Sequence, residues 1–281
     1  MKRICLSVCF LLILFTLSAQ EKQLYILQTS DTHSRIEPFA AQSSNRNAGK
    51  GGVVRRATFV KQAREKHPNL LLFDCGDISQ GTPYYNVFKG EVEVKLMNHM
   101  GYDAMTIGNH EFDFGLDNMA RLFQLANFPV VCANYDVSGT VLEGLVKPYV
   151  VLEREGVRIG VFGLSPRLEG LVQAANCEGI LYNDPIEAAQ QVTNLLRTKE
   201  GCSVVICLSH LGFNTGTADG HYDENLVAKT QGIDLILGGH THTYMEKPAI
   251  YLNAAGKNVP VMHVGGSGIY VGETTLTLSK E

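Results

Sequence analysis

The chain has 281 residues, 45% of them hydrophobic and 19% charged, and a formal charge of −4. This composition suits one globular domain with a full core, and no repeat, low-complexity tract or long linker divides it. A mildly acidic chain does not point to nucleic acid or to an anionic membrane as its partner.

Lys2-Arg3, the apolar run from Ile4 to Leu17, and Ser18-Ala19-Gln20 make the three-part pattern of a secretory signal. The run is shorter than the ~20 residues that span a bilayer. We therefore expect a signal peptide over residues 1–19 and a secreted or periplasmic protein without a stable membrane anchor. An uncleaved anchor is the alternative. Cys5 and Cys9 lie inside the run, which argues against lipid attachment. Cys75, Cys132, Cys177, Cys202 and Cys207 read as buried free thiols. In an exported protein a disulfide among Cys177, Cys202 and Cys207 stays open. There is no CxxC pair, so a structural zinc site is not expected.

Leu24 to Gln28 reads as a strand ending in Thr29-Ser30-Asp31-Thr32-His33. Asp31 and His33 are two apart, so in extended chain they point to one side. Together they suit a divalent cation; taken alone, Asp31 would cap a turn. Residues 34–50 form a polar loop. Val53, Ala57, Val60 and Ala63 mark a helix, and Asn69 to Phe73 the next strand. Beyond it comes Asp74-Cys75-Gly76-Asp77. A desolvated carboxylate at Asp77 costs several kcal/mol, or a large pKa shift, unless it is partnered. Cations would partner it, as would a helix cap or a buried hydrogen bond. Gly81-Thr82-Pro83 leads into a helix around Val92, Leu96 and Met100.

The strand Ala104 to Ile107 then meets Gly108-Asn109-His110-Glu111-Phe112-Asp113, followed by helix-spaced Leu116, Met119, Phe123 and Ala126. Such strand-to-helix loops carry the chemistry of α/β folds. Gly108 is expected to let the backbone turn. Asn109 offers a neutral oxygen, His110 an imidazole, and Asp113 a carboxylate to orient it. Further on, Phe128 to Ala133 is a strand. Tyr149 to Leu152 and Val157 to Leu164 flank Glu155-Gly156 as a hairpin. Asp184-Pro185-Ile186-Glu187 starts a helix. The strands Ser203 to Leu208 and Ile233 to Leu237 end in Ser209-His210 and in Gly238-Gly239-His240-Thr241-His242. His67, His99, His221 and His263 lack this context and read as structural or surface residues, although the polar loop of His221 lies where it can approach the site.

Asp31, His33, Asp77, Asn109, His210, His240 and His242 thus gather at strand ends. They are too many donors for one ion and suit two. Nitrogen and oxygen donors without thiolate favour zinc, manganese or iron. A pair of such ions clamps a phosphate and activates water. Asp77 is the natural bridge. His110 is left to protonate the leaving oxygen, oriented by Asp113.

The series Asp31-x-His33, Gly76-Asp77, Gly108-Asn109-His110-Glu111, His210 and Gly239-His240-x-His242 resembles the calcineurin-like metallophosphoesterases. Asp77-x-x-Gln80-Gly81-Thr82-Pro83 and Asn109-His110-Glu111-Phe112-Asp113 resemble the 5'-nucleotidase, UDP-sugar hydrolase and cyclic-nucleotide phosphodiesterase branch. The resemblance covers nearly all of residues 24–278. It implies a four-layer αββα sandwich. It places one ion on Asp31, His33, Asp77 and His242 and the other on Asp77, Asn109, His210 and His240. It also makes His110 and Asp113 the catalytic pair. The implied activity is hydrolysis of phosphomonoesters, with nucleoside 5'-phosphates as substrates; a 2',3'-cyclic-nucleotide phosphodiesterase is the alternative. A further rival is a metal- and phosphate-binding module working with a separate substrate-binding chain. The resemblance also implies that the C-terminal substrate domain of the family is absent from residues 20–281, so that a separate chain would supply it. The loops at Phe39 to Lys50, Pro83 to Asn86 and Phe213 to Tyr222 offer few aromatics, which predicts weak discrimination among phosphomonoesters.

Overall fold

A computed structural model describes residues 21–42, 44–214 and 220–278. The expected leader, residues 1–19, lies outside them. In chain order the first half runs β1 (Lys22–Thr29), α1 (Val53–Lys66), β2 (Leu71–Asp74), α2 (Pro83–Phe88), α3 (Glu91–Met100), β3 (Ala104–Thr106), α4 (Gly115–Leu125), β4 (Val130–Val131), β5 (Tyr135–Asp136) and β6 (Val146–Lys147). The second half runs β7 (Tyr149–Arg154), β8 (Val157–Leu164), β9 (Leu181–Tyr182), α5 (Pro185–Thr198), β10 (Val204–Ser209), α6 (Asp223–Lys229), β11 (Leu235–Gly238), β12 (Ala249–Leu252), β13 (Asn258–His263) and β14 (Gly272–Leu278).

Two six-stranded sheets form, in the orders β14-β1-β2-β3-β4-β6 and β12-β13-β11-β10-β8-β7. Neighbours from β1 to β6 in the first and from β13 to β8 in the second are parallel. Antiparallel β14 closes one edge of the first sheet, and antiparallel β7 and β12 close the second. Apolar residues on both faces of each sheet explain the layering. Ile26, Leu71 and Phe73 meet Ile159, Val161, Val204 and Ile206 between the sheets. Leu27, Leu72 and Met105 face α1, α3 and α4 on one outer side, and Val205, Cys207 and Ile236 face α5 and α6 on the other. Each fully buried side chain of this size contributes about 1.5–3 kcal/mol. The result is the expected αββα order.

The predicted elements recur with shifted ends. β2 starts at Leu71 rather than Asn69, and β4 covers only Val130–Val131. The single helix expected after Pro83 is two: Pro83 opens α2, and left-handed Lys89 and Gly90 (φ 52° and 94°) separate it from α3. Asp184 caps α5 as predicted, its carboxylate accepting from the amides of Ile186 and Glu187.

The sheets approach unusually closely at the carboxyl end. The amide of Ala133, beyond β4, donates to Gly163 O in β8 at 2.8 Å. A Cβ on Gly163 would lie 2.0 Å from Val131 O and 2.3 Å from Thr106 Oγ1. Gly163→Ala should therefore force the sheets apart and destabilise the fold by about 1–3 kcal/mol, the usual penalty for overpacking. Urea unfolding checks this; an unchanged midpoint would show that the sheets tolerate the extra methyl group.

Candidate metal centre

The seven predicted ligands converge from both sheets. β1 delivers Asp31 and His33, β2 Asp77 and β3 Asn109; β10 delivers His210, and β11 His240 and His242. Asp31, His33 and His242 offer donor atoms within 4.8 Å of one another, as do Asp77, His210 and His240. Asn109 and His110 line the same pocket of about 460 Å³, together with Arg35, Gln80, Leu171 and Ser267.

The route by which these residues arrive differs from the extended chain expected. Asp31, His33, Asp77, His240 and His242 all have positive φ, of 51°, 47°, 57°, 75° and 51°. The strands end, and the chain turns through left-handed conformations that only a few per cent of non-glycine residues adopt. The two turns of the first sheet stabilise each other. The amides of Asp31, His33 and Ser34 donate to the carbonyls of Gly76, Asp77 and Ile78 at 2.9, 3.1 and 2.9 Å.

Gly108 also works differently than expected. Its φ is not positive, so it is not needed for the turn. It makes room: a Cβ there would lie 2.1 Å from Asp77 Oδ1. The same holds for Gly239, where a Cβ would meet Ser30 Oγ at 2.2 Å and Asp31 Oδ2 at 2.9 Å. Glycine at both places lets one ligand loop lie against the next.

The polar groups fit cations. His210 Nδ1 faces Cys75 O at 2.5 Å. A carbonyl can only accept, so Nδ1 carries the proton and Nε2 presents its lone pair to Asp77 and the pocket. This is the arrangement in which an outer partner sets the tautomer of a metal-binding histidine. Asn109 Oδ1 is buried without a hydrogen-bond partner, a costly arrangement unless a ligand takes it, and with Nδ1 protonated the lone pair of His210 Nε2 is set against Asp77 Oδ2 at 3.0 Å. His33 Nε2 lies 2.8 Å from His242 Nε2, and His242 Nε2 lies 3.4 Å from Asp31 Oδ1. Two imidazole nitrogens and a carboxylate oxygen so placed suit one shared electropositive partner.

The electrostatics agree. Burial opposes charge on His210, yet Asp77, 3.0 Å away, pushes its pKa up to about 10. The Asp77 carboxylate thus draws positive charge into the site, and a divalent cation would satisfy it with His210 neutral. Burial, reinforced by His210, lowers His240 to about 4, which keeps its imidazole neutral and able to donate a lone pair. Burial likewise lowers His33.

His110 Nδ1 bonds Asp113 Oδ2 at 2.9 Å. Burial lowers the pKa of His110, but Asp113, Asp77 and Glu111 together outweigh it, and the net shift is upward. That favours the protonated form a general acid needs.

One residue of the motif received no role from its sequence. Glu111 is buried and accepts from the amides of Gly108, Asp77 and Ile78 at 2.5, 3.0 and 2.9 Å. Burial, and then the Asp77 charge, raise it to about 7. It clamps the Asp77 loop to the Gly108 loop. Asp223 was also missed: it bonds buried His263 at 2.7 Å and takes the hydroxyl proton of Ser209, beside His210. The structural reading of the remaining histidines stands. His67 stacks on Tyr25 and His263 braces strand ends, while His99 lines a groove between α1 and α3. His221 does not join the pocket; it bonds Asp184 Oδ2 at 3.1 Å and Tyr182 at 3.0 Å. Cys75, Cys132, Cys177, Cys202 and Cys207 are all free, so no disulfide forms among them; Cys177 is half-buried and the others are buried.

Gly108→Ala should displace the Asp77 carboxylate and lower the bound divalent metal by at least half, with circular dichroism unchanged. Elemental analysis after gel filtration checks this. Native metal content in that variant would show that Asp77 can move without losing its ligand role.

The family model described as calcineurin-like phosphoesterase matches residues 24–244. A snake venom 5'-nucleotidase of Crotalus adamanteus is 34% identical over 281 residues, an alignment spanning 92% of this chain and 45% of that protein. The 5'-nucleotidase of Bos taurus is 33% identical, spanning 91% and 46%. The chain thus covers about half the length of these relatives. Among solved structures, a 5'-nucleotidase precursor from Thermus thermophilus superposes with a TM-score of 0.84 at 31% identity, over 92% of this chain and 52% of that one. The calcineurin-like phosphoesterase YfkN of Bacillus subtilis superposes with a TM-score of 0.77 at 29% identity, over 93% and 86%. By its motifs, its fold and these matches, the chain belongs to the calcineurin-like phosphoesterase family.

Proposed function

We propose that this chain is an exported phosphoesterase using two divalent cations, and that it hydrolyses phosphomonoesters, nucleoside 5'-phosphates among them. One observation carries the proposal: two adjacent groups of metal-ligating side chains and the His110–Asp113 pair serve one open pocket. Asp31, His33 and His242 would hold one ion, and His210, His240 and Asn109 the other. Asp77 would serve both, since it lines the pocket with His33 and His242 of one group and lies 3.0 Å from His210 of the other. Bound there, such cations supply a hydroxide near neutral pH and offset the charge of the phosphoryl group. The donor set of imidazole, carboxylate and amide suits zinc, manganese or iron.

The chain's own residues do the rest. Asp113 accepts the Nδ1 proton of His110 and favours its imidazolium form, whose Nε2 proton would pass to the leaving oxygen. Arg35 adds a cation to the pocket wall, held over the Phe39 ring at 4.4 Å. The scarcity of aromatics expected from three loops overlooks Tyr244 and Tyr270. These stack at 4.2 Å and line a second cleft of about 380 Å³ that shares His242 and Ser267 with the metal pocket. Arg46 and Lys50 also line it. A flat aromatic wall beside cations suits the base and phosphates of a nucleotide. The relatives named 5'-nucleotidase support the same substrate, and the leader-like pattern of residues 1–19 supports export.

Turnover of p-nitrophenyl phosphate and of a nucleotide panel, with added Mn²⁺ or Zn²⁺, tests the proposal. Hydrolysis of AMP to adenosine is expected, and preferential cleavage of 2',3'-cyclic nucleotides would move the assignment to a phosphodiesterase. Binding of metal and phosphate without turnover would make the chain a binding module.

Two variants test the roles. Asp77→Asn should lose activity and metal together; two tightly held ions in that protein would remove Asp77 from the bridging role. His110→Ala should keep its metal and lose about 10²–10⁴ in kcat. The loss should be smaller for p-nitrophenyl phosphate, whose leaving group needs little protonation. Equal losses on aryl and alkyl esters would show that His110 is not the acid.

A further inference from the structure

The His110–Asp113 pair has a third member. Tyr85, on α2, donates its hydroxyl to Asp113 Oδ2 at 2.9 Å. That same oxygen takes the His110 Nδ1 proton at 2.9 Å. Two donors from different elements thus converge on one carboxylate oxygen. The Asp113 backbone is held separately, its carbonyl taking the Asn176 side-chain amide at 2.9 Å and its amide donating to His110 O at 3.2 Å. The main chain at Asp113 is fixed without Tyr85; the orientation of the carboxylate plane is not.

That orientation matters because the terminal torsion of an aspartate is broad and weakly restrained. A carboxylate held only by His110 can rotate together with the imidazole, and Nε2 then sweeps across the pocket. A second donor at a fixed point stops the rotation. Tyr85 is itself well placed to be that point. Its ring lies 4.7 Å from the Phe114 ring, over which Lys89 Nζ sits at 5.1 Å. Its helix begins at Pro83, one residue beyond Gln80 and Gly81, which line the metal pocket. The loop that carries Asp77 therefore reaches, through Tyr85, the group that orients the proton donor.

We infer that Tyr85 is a positioning residue for His110, acting through Asp113 to hold Nε2 on the leaving oxygen. The inference rests on the proton-donor role proposed above for His110. Tyr85 does not line the metal pocket, and its effect is confined to substrates that need a proton delivered.

Tyr85→Phe removes the hydroxyl and keeps the ring. We expect kcat on an alkyl phosphate such as glycerol 2-phosphate to fall about tenfold, the low end of the cost of removing an orienting partner from an active group. On p-nitrophenyl phosphate the fall should be less than about twofold, with KM and metal content unchanged on both. In an Asp113→Ala background the same substitution should have no further effect, since the two act as one unit. A second readout is independent of turnover. In the metal-loaded protein labelled with ¹⁵N-histidine, the Nδ1–H resonance of His110, identified by its loss in His110→Gln, should shift and exchange faster with water in Tyr85→Phe. Equal rate losses on both substrates, accompanied by a lower unfolding midpoint, would make Tyr85 a structural brace only and overturn the inference. An unmoved resonance would overturn it as well. A chain that hydrolyses none of these esters yet shows the shifted resonance would instead remove the proposed function and leave the positioning role standing.

Discussion

Hydrogen bonds between the two sheets at their carboxyl ends are the constraint on which everything else in this molecule depends. Packed sheets ordinarily lie ≈ 10 Å apart, with side chains between them. Here the separation closes until backbone meets backbone, with Ala133 N on Gly163 O, and until side chains span the remainder, with Gln28 Nε2 on Gly238 O at 3.0 Å and His210 Nδ1 on Cys75 O. Neither sheet holds a complete ligand group. Asp31, His33, Asp77 and Asn109 come from one, and His210, His240 and His242 from the other. Separating the sheets by the width of one methyl group would leave two half-sites, each with buried polar atoms lacking partners.

The closeness has an electrostatic counterpart. Asp31, Asp74, Asp77 and Glu111 are all buried within a few strand ends of one another. Backbone amides absorb much of this charge. His240 N donates to both oxygens of Asp31, Gly76 N to Asp74, and three amides to Glu111. Asp74 and Glu111, so solvated, hold loops in place without needing a cation of their own. Asp77 is different: one oxygen takes the His110 amide at 2.8 Å, and the other faces His210. Between the two groups of imidazoles, it points at something the protein does not itself provide.

Much of this was legible in the sequence. The strand-end position of every candidate ligand followed from apolar runs stopping just before polar residues, and the layer order followed from the resemblance those motifs carry. The rest was hidden for physical reasons. Extended geometry for Asp31-x-His33 was the default, because positive φ is rare outside glycine. Gly108 reads as a hinge because glycine usually is one; only the 2.1 Å that would separate a Cβ there from Asp77 Oδ1 shows that it is a space. Glu111 and Tyr85 act across 34 and 28 residues of chain, on Asp77 N and Asp113, and no local pattern encodes a contact at that range. Lys89 and Gly90 broke a helix that spacing alone ran together with its neighbour.

The left-handed turns at Asp31, His33, Asp77, His240 and His242 place a second filter on the choice of ligand. Among residues with a side chain, aspartate, asparagine and histidine tolerate this backbone hand several-fold better than the rest. Glutamate and cysteine bind divalent cations well but have no such tolerance. At those five positions the loops therefore select donors by conformation before any ion selects them by chemistry, and the choice there narrows to Asp, Asn and His. A thiolate-rich version of this centre would have to be built on differently wound loops, so the backbone itself disfavours drift toward the soft-metal chemistry that cysteine brings.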